Sequence, residues 1–139
     1  MATRVLVADD EPAIRTLCRV NLQLEGIEVL EAENGNAALE AVAREHPDLL
    51  LLDLMMPELD GWQVAQRLGS SNDTRDLPIV VLSARASRED IERAHDAGAV
   101  GYVIKPFDPV GLAGRLERTL KRLAAGERED LRREMLEAP

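Results

Sequence analysis

Asp9, Asp10, Asp53, Ser83, Tyr102 and Lys105 are scattered along 139 residues, yet they share one kind of position. Each lies in, or just beyond the end of, a short apolar run. Asp9-Asp10 follow Val5-Leu6-Val7, Asp53 follows Leu49-Leu50-Leu51-Leu52, Ser83 follows Ile79-Val80-Val81-Leu82, and Lys105 follows Tyr102-Val103-Ile104. Runs of that length read as strands, and a parallel α/β sheet gathers the carboxyl ends of its strands along one edge, where ligands bind. The expected pocket holds three carboxylates, a hydroxyl, an aromatic and an ammonium. Two like charges ~4 Å apart repel by about 4 kcal/mol at an effective dielectric near 20. Three crowded acids therefore take up a proton or recruit a cation. A hard divalent ion with oxygen ligands, Mg²⁺ above all, suits them. Zinc does not fit, because His46 and His95 fall in different helical segments without a second ligand at helical spacing.

Taken singly, each residue has a plainer use. Asp9 or Asp10 alone reads as a helix cap, although Pro12 favours Glu11 for that place. Asp53 alone could open a turn, Ser83 could cap a loop, Lys105 could be a surface lysine and Tyr102 an ordinary strand tyrosine. Only their joint placement at strand ends favours a common site. There a Lys105 ammonium can pair with a carboxylate or a phosphoryl oxygen, and a Ser83 hydroxyl can donate to an anionic oxygen. Lys105-Pro106 is a candidate cis peptide.

The elements that must position these residues alternate along the chain. Strands are expected near residues 4–8, 27–32, 49–52, 78–82 and 101–104. Helices are expected near 12–25, 35–46, 62–68, 87–97 and 108–124. Gly26, Pro47 and Gly98 act as stops, Ser87-Arg88-Glu89-Asp90 resembles a capping box, and Asp108-Pro109 is a cap signal. Leu49–Leu52 is apolar on both faces, as an inner parallel strand must be. Five such units with short connections predict an α/β fold: a doubly wound, five-stranded parallel sheet with helices on both faces. Residues 126–139 carry five acids against three arginines and read as a solvated terminus, or as an extension of the last helix through Leu131 and Met135 or Leu136.

Composition narrows the class. A net charge of −9 and only one Trp, one Tyr and one Phe argue against contact with nucleic acid. No apolar run is long enough to span a bilayer, and no signal-peptide pattern is present, so the expected location is the cytoplasm, with no membrane partner. Cys18, the single cysteine, excludes an intrachain disulfide and reads as a small buried residue.

Val5-Leu6-Val7-Ala8-Asp9-Asp10-Glu11-Pro12, Asp53-Leu54-Met55-Met56-Pro57 with Asp60-Gly61, Ser83-Ala84-Arg85, and Gly101-Tyr102-Val103-Ile104-Lys105-Pro106-Phe107 together resemble the receiver domain of two-component response regulators. The resemblance covers about residues 3–124, leaving 125–139 as a charged tail, and implies the flavodoxin-like strand order 2-1-3-4-5. It implies that Asp53 accepts a phosphoryl group from a histidine kinase or phosphotransfer protein. Asp10, Asp53 and the Met55 carbonyl would ligate Mg²⁺, with Mn²⁺ as a substitute and Asp9 acting through water. Lys105, Ser83 and backbone N–H groups near Leu54 and Ala84 would hold phosphoryl oxygens. Ser83 and Tyr102 would form a switch toward a protein partner on the face made by the fourth helix, fifth strand and fifth helix. Val100-Gly101 replace the paired acids of many dimeric DNA-binding receivers, so the expectation is a chemotaxis-type, stand-alone regulator, monomeric or weakly dimeric, without a direct nucleic-acid partner.

Rival readings fare worse. An aspartyl-phosphate hydrolase of the haloacid dehalogenase type needs an acid two residues past its nucleophile, where this chain has Met55. A flavodoxin-like cofactor binder needs a phosphate cradle where this chain has Asp9-Asp10-Glu11. A receiver-shaped scaffold that is never phosphorylated has no need of the complete set of site residues. A phosphoacceptor switch, rather than a turnover enzyme, is the expected class.

Overall fold

The computed structural model describes residues 2–137. Strands β1 (Arg4–Ala8), β2 (Glu28–Ala32), β3 (Leu49–Asp53), β4 (Ile79–Ser83) and β5 (Gly101–Ile104) alternate with helices α1 (Pro12–Leu24), α2 (Gly35–Glu45), α3 (Gly61–Gly69), α4 (Arg88–Asp96) and α5 (Pro109–Ala124); α6 (Arg128–Glu137) follows. The strands form one parallel sheet of order β2-β1-β3-β4-β5, as expected.

The inner strands explain the two-sided core. On one face Val5, Val7, Leu49 and Leu51 pack with Cys18, Leu22, Leu112 and Leu116 from α1 and α5. On the other, Leu6, Ala8, Leu50 and Leu52 pack with Ala38, Val42, Val64 and Leu68 from α2 and α3. Successive strand residues point to opposite faces, so a continuous Leu run serves both layers. Each buried Leu or Val stabilises the fold by roughly 1.5–3 kcal/mol. Cys18 is fully buried as expected, and burial pushes its thiol up to about 12, which leaves it unreactive.

Local signals set the helix ends. The Glu11 side chain makes no cap hydrogen bond, and Pro12 opens α1. Asp108 accepts from the Val110 N–H at α5. At α4 the Ser87 hydroxyl accepts from the Asp90 N–H, but the Asp90 carboxylate takes the Ser87 hydroxyl instead of a backbone donor, so the box is not reciprocal. A reciprocal capping box does form at α3, between Asp60 and Gln63.

The C-terminal segment departs from both expectations. It neither frays nor extends α5: Gly126, at φ +81°, turns the chain, and α6 folds back. Met135 is buried against Ile91, Ala94 and Tyr102, with Leu136 alongside. The face of α4, β5 and α5 that the sequence left open for a partner is therefore covered by the chain's own last helix. No helix among the described residues is long and apolar enough to cross a membrane.

Candidate functional site

The strand ends bring the predicted side chains together. β1 delivers Asp9, β3 delivers Asp53 and β4 delivers Ser83; all three are buried, while Asp10 is exposed at the rim. Carboxylate oxygens of Asp9, Asp10 and Asp53 lie within 4.8 Å of one another. Lys105 reaches in just past β5, its Nζ 2.8 Å from Asp9 Oδ2, 3.2 Å from Glu11 Oε1 and 3.8 Å from Asp53 Oδ2. The Lys105-Pro106 peptide is cis, as the sequence suggested.

Backbone donors complete the pocket. The Met55 N–H donates to Asp53 Oδ1 at 3.2 Å, the Glu11 N–H to Asp9 Oδ1 at 2.9 Å, and the Arg85 N–H to Ser83 Oγ at 3.0 Å. The donors facing these side chains thus come from the residues just after Leu54 and Ala84.

The charges do not balance. Lys105 alone faces three carboxylates of the pocket and Glu11. Burial, followed by the Asp9 charge, pushes the Asp53 carboxyl up to about 7, against the opposing pull of the Met55 N–H and Lys105. Burial works against the Lys105 ammonium, but Asp9, Asp53 and Glu11 outweigh it and raise its pKa. Asp9 Oδ2 is buried with the Lys105 ammonium 2.8 Å away as its partner. One ammonium shared among three pocket carboxylates leaves negative charge uncompensated. An all-oxygen set with such an excess fits a hard divalent cation with water in its shell.

Three contributors were not legible as site residues. Gly61 packs so tightly beneath Asp53 that a Cβ there would lie 2.4 Å from the Asp53 carbonyl oxygen and 2.7 Å from Leu54 Cα. Its signal was the glycine ending Pro57–Gly61, which reads equally as a chain break. Glu11, expected only as a cap position, pairs with Lys105. Asp90, buried at the start of α4, is held below its ordinary carboxylate value by the Ser87 hydroxyl and by Arg85. Tyr102 lies with its ring inward, and its hydroxyl donates to the Arg85 carbonyl. Met55 and Arg85 are both exposed at the mouth, with Arg85 Nη1 3.9 Å from Met55 Sδ.

The model of the response regulator receiver domain matches residues 5–117. The chain belongs to that family. It is 44% identical over 122 residues to the response regulator MprA of Mycobacterium ulcerans, covering 88% of this chain and 52% of that protein. It is 38% identical to the DNA-binding dual master transcriptional regulator RpaA of Synechocystis, covering 86% of this chain and 49% of that protein. Among solved structures it resembles the chemotaxis protein CheY4 of Vibrio cholerae, at TM-score 0.81 and 29% identity, covering 86% of this chain and 99% of that one. The receiver thus spans about half the length of the curated relatives it matches.

These relatives correct the expectation of an output without nucleic acid. RpaA is a DNA-binding transcriptional regulator, and a phosphate regulon transcriptional regulatory protein, PhoB of Pseudomonas aeruginosa, is 38% identical over 125 residues, covering 90% of this chain and 55% of that protein. The reason is physical. The acidic charge and scarcity of aromatics belong to the receiver module, and they carry no information about what the other half of such a protein binds.

Proposed function

We propose that this receiver accepts a phosphoryl group on Asp53 from a phosphohistidine of a histidine kinase and converts it into an altered protein surface. The observation that carries this reading is the buried Asp53 carboxyl, held between the Met55 N–H and Lys105 beside two further aspartates. An Asp53 oxygen attacks phosphorus, the P–N bond breaks as the P–O bond forms, and the imidazole leaves with a proton. Asp10, Asp53 and the Met55 carbonyl would hold Mg²⁺, with Asp9 acting through water, and the bound ion would supply neutralisation of charge on the phosphoryl oxygens. Lys105 and the Ser83 hydroxyl take the remaining oxygens, together with N–H groups after Leu54 and Ala84. Ser83 Oγ donates its proton to the phosphoryl group while still accepting from the Arg85 N–H. Arg85 also bears the carbonyl that Tyr102 holds, which makes Ser83 and Tyr102 the switch pair. The residue two past Asp53 is Met55, which has no proton to give, so the protein acts as a switch and not as a turnover phosphatase.

The named relatives point to the output. RpaA is named a DNA-binding transcriptional regulator and PhoB a transcriptional regulatory protein, which supports control of transcription as the output of this receiver. The decisive experiment incubates the protein with Mg²⁺ and acetyl phosphate and maps the adduct by intact and peptide mass. The expected result is one phosphoryl group on Asp53, absent in Asp53→Asn and blocked by chelator. Labelling elsewhere, or none under conditions that label other receivers, refutes the proposal.

A further inference from the structure

Helix α6 lies outside the residues matched by the family model, yet it is built onto the element meant to move. Met135 packs against Tyr102 within one cluster that includes Leu54, Val81, Ile91 and Ala94. Four arginines fix the helix in place. Arg128 donates to the Asp76 carbonyl at 2.8 Å, Arg132 to the His95 carbonyl at 2.9 Å, Arg88 to the Leu136 carbonyl at 3.4 Å, and Arg122 pairs with Glu127 and Glu134. These are mostly exposed or half-buried contacts, individually weak. Only Leu131, Met135 and Leu136 give α6 an apolar face, and a ten-residue helix is marginal alone. Its docking is therefore reversible, and Met135 supplies its main apolar anchor.

From Met135 a continuous chain of contacts runs to the site. Met135 shares a buried cluster and a cavity wall with Tyr102, the Tyr102 hydroxyl donates to the Arg85 carbonyl, and the Arg85 N–H donates to Ser83 Oγ. A cavity of about 200 Å³, bounded by Tyr102, Ile104, Arg115, Leu131 and Met135, lies beside the ring. It gives the ring room to leave its inward rotamer once α6 shifts. Leaving forfeits both the Met135 contact and the hydrogen bond to Arg85.

We infer that α6 is a lock on the Tyr102 ring, with Met135 a positioning residue that holds the ring inward and the loop after β4 closed over Ser83. The inference rests in part on the reading of Asp53 as phosphoacceptor. By reciprocity, docking of α6 favours the phosphorylated state, and phosphorylation tightens α6.

Tyr102 is the only tyrosine, so replacing it with 3-fluorotyrosine gives the full chain one ¹⁹F signal. Met135→Asp undocks the helix, and Met135→Leu conserves its volume. The expected ¹⁹F line is displaced and broadened in Met135→Asp but unchanged in Met135→Leu. Adduct formation on Asp53 from acetyl phosphate slows at least about fivefold in Met135→Asp, the low end of coupling between sites. It keeps its rate in Met135→Leu, and α6 amides of the phosphorylated wild-type chain exchange more slowly. An unchanged ¹⁹F line in Met135→Asp, an accelerated reaction, or faster α6 exchange on phosphorylation overturns the lock. If no adduct forms on the wild-type chain, the phosphoacceptor reading fails, while the ¹⁹F line still decides whether α6 holds the ring.

Discussion

Asp53→Asn should stabilise the metal-free protein, and the gain should depend on pH in a specific way. Burial and the neighbouring aspartates push the Asp53 carboxyl from 3.8 up to about 7 in the folded chain. The folded state therefore binds this proton more tightly than the unfolded state. Stability from this group is greatest at low pH and is lost as pH rises from about 4 through about 7. A displacement of about three pH units, at about 1.4 kcal/mol each, caps the cost of the buried charge near 4 kcal/mol at pH 8. At pH 5 the same linkage gives a ceiling of about 1.6 kcal/mol, because much of the folded population keeps its proton. Local relaxation and water roughly halve both figures. Urea denaturation in chelator should show the Asn variant more stable by about 2 kcal/mol at pH 8 and by under about 1 kcal/mol at pH 5. Saturating Mg²⁺ should reverse the order, since a ligand at 100-fold its Kd adds about 2.7 kcal/mol to the chain that retains the site. A variant less stable than wild type in chelator at pH 8, or a difference that does not change between pH 5 and 8, would refute the account of Asp53 as a strained buried carboxylate.

Lys105→Ala removes the only ammonium in the pocket; the loss of a charge-assisted hydrogen bond worth about 1.5–3 kcal/mol should slow labelling of Asp53 roughly 10- to 100-fold, measured by intact mass against time. Gly61→Ala forces a methyl onto the Asp53 and Leu54 backbone and should cost about 1–3 kcal/mol in urea denaturation, with weakened Mg²⁺ binding because the metal-facing strand end is displaced. Met55 and Arg85 meet across the mouth of the pocket and narrow the approach of water to Asp53, so Met55→Asn with Arg85→Ala should shorten the phosphoryl half-life. An unchanged half-life in that double variant would exclude shielding by this pair.

What the sequence could and could not reveal follows from the range of the forces involved. The parallel sheet was legible because β3 is apolar on both faces and ends in Asp53, as an inner parallel strand must be, whereas the strand order came from the family resemblance. Helix ends were legible where one residue decides them, as Pro12 and Asp108-Pro109 do. The capping box at Asp60-Gln63 was equally local, but it lay hidden in a stretch that read as a chain break. Gly61 and Glu11 were missed for a different cause. Their roles depend on what approaches them from another strand, and spacing along the chain does not encode that approach.

The C-terminal helix is the sharpest case of that limit, and it changes how the switch must work. Leu131, Met135 and Leu136 formed a visible apolar stripe, but a short charged segment carries no local signal of where it docks. In the fold, Arg88, Arg122, Arg128 and Arg132 tie it to α4, α5 and the loop before β4, none of them specifying the position alone. Such an element is held by many weak contacts and one buried methionine, whereas the core strands bury Leu on both faces. A change confined to Ser83 and Tyr102 cannot remodel the strands, because close-packed interiors resist deformation. It can shift α6, whose docking energy is small enough for one rotamer to matter. On the proposed reading, the part of the chain that carried the least sequence signal is therefore the part best able to respond when Asp53 is phosphorylated.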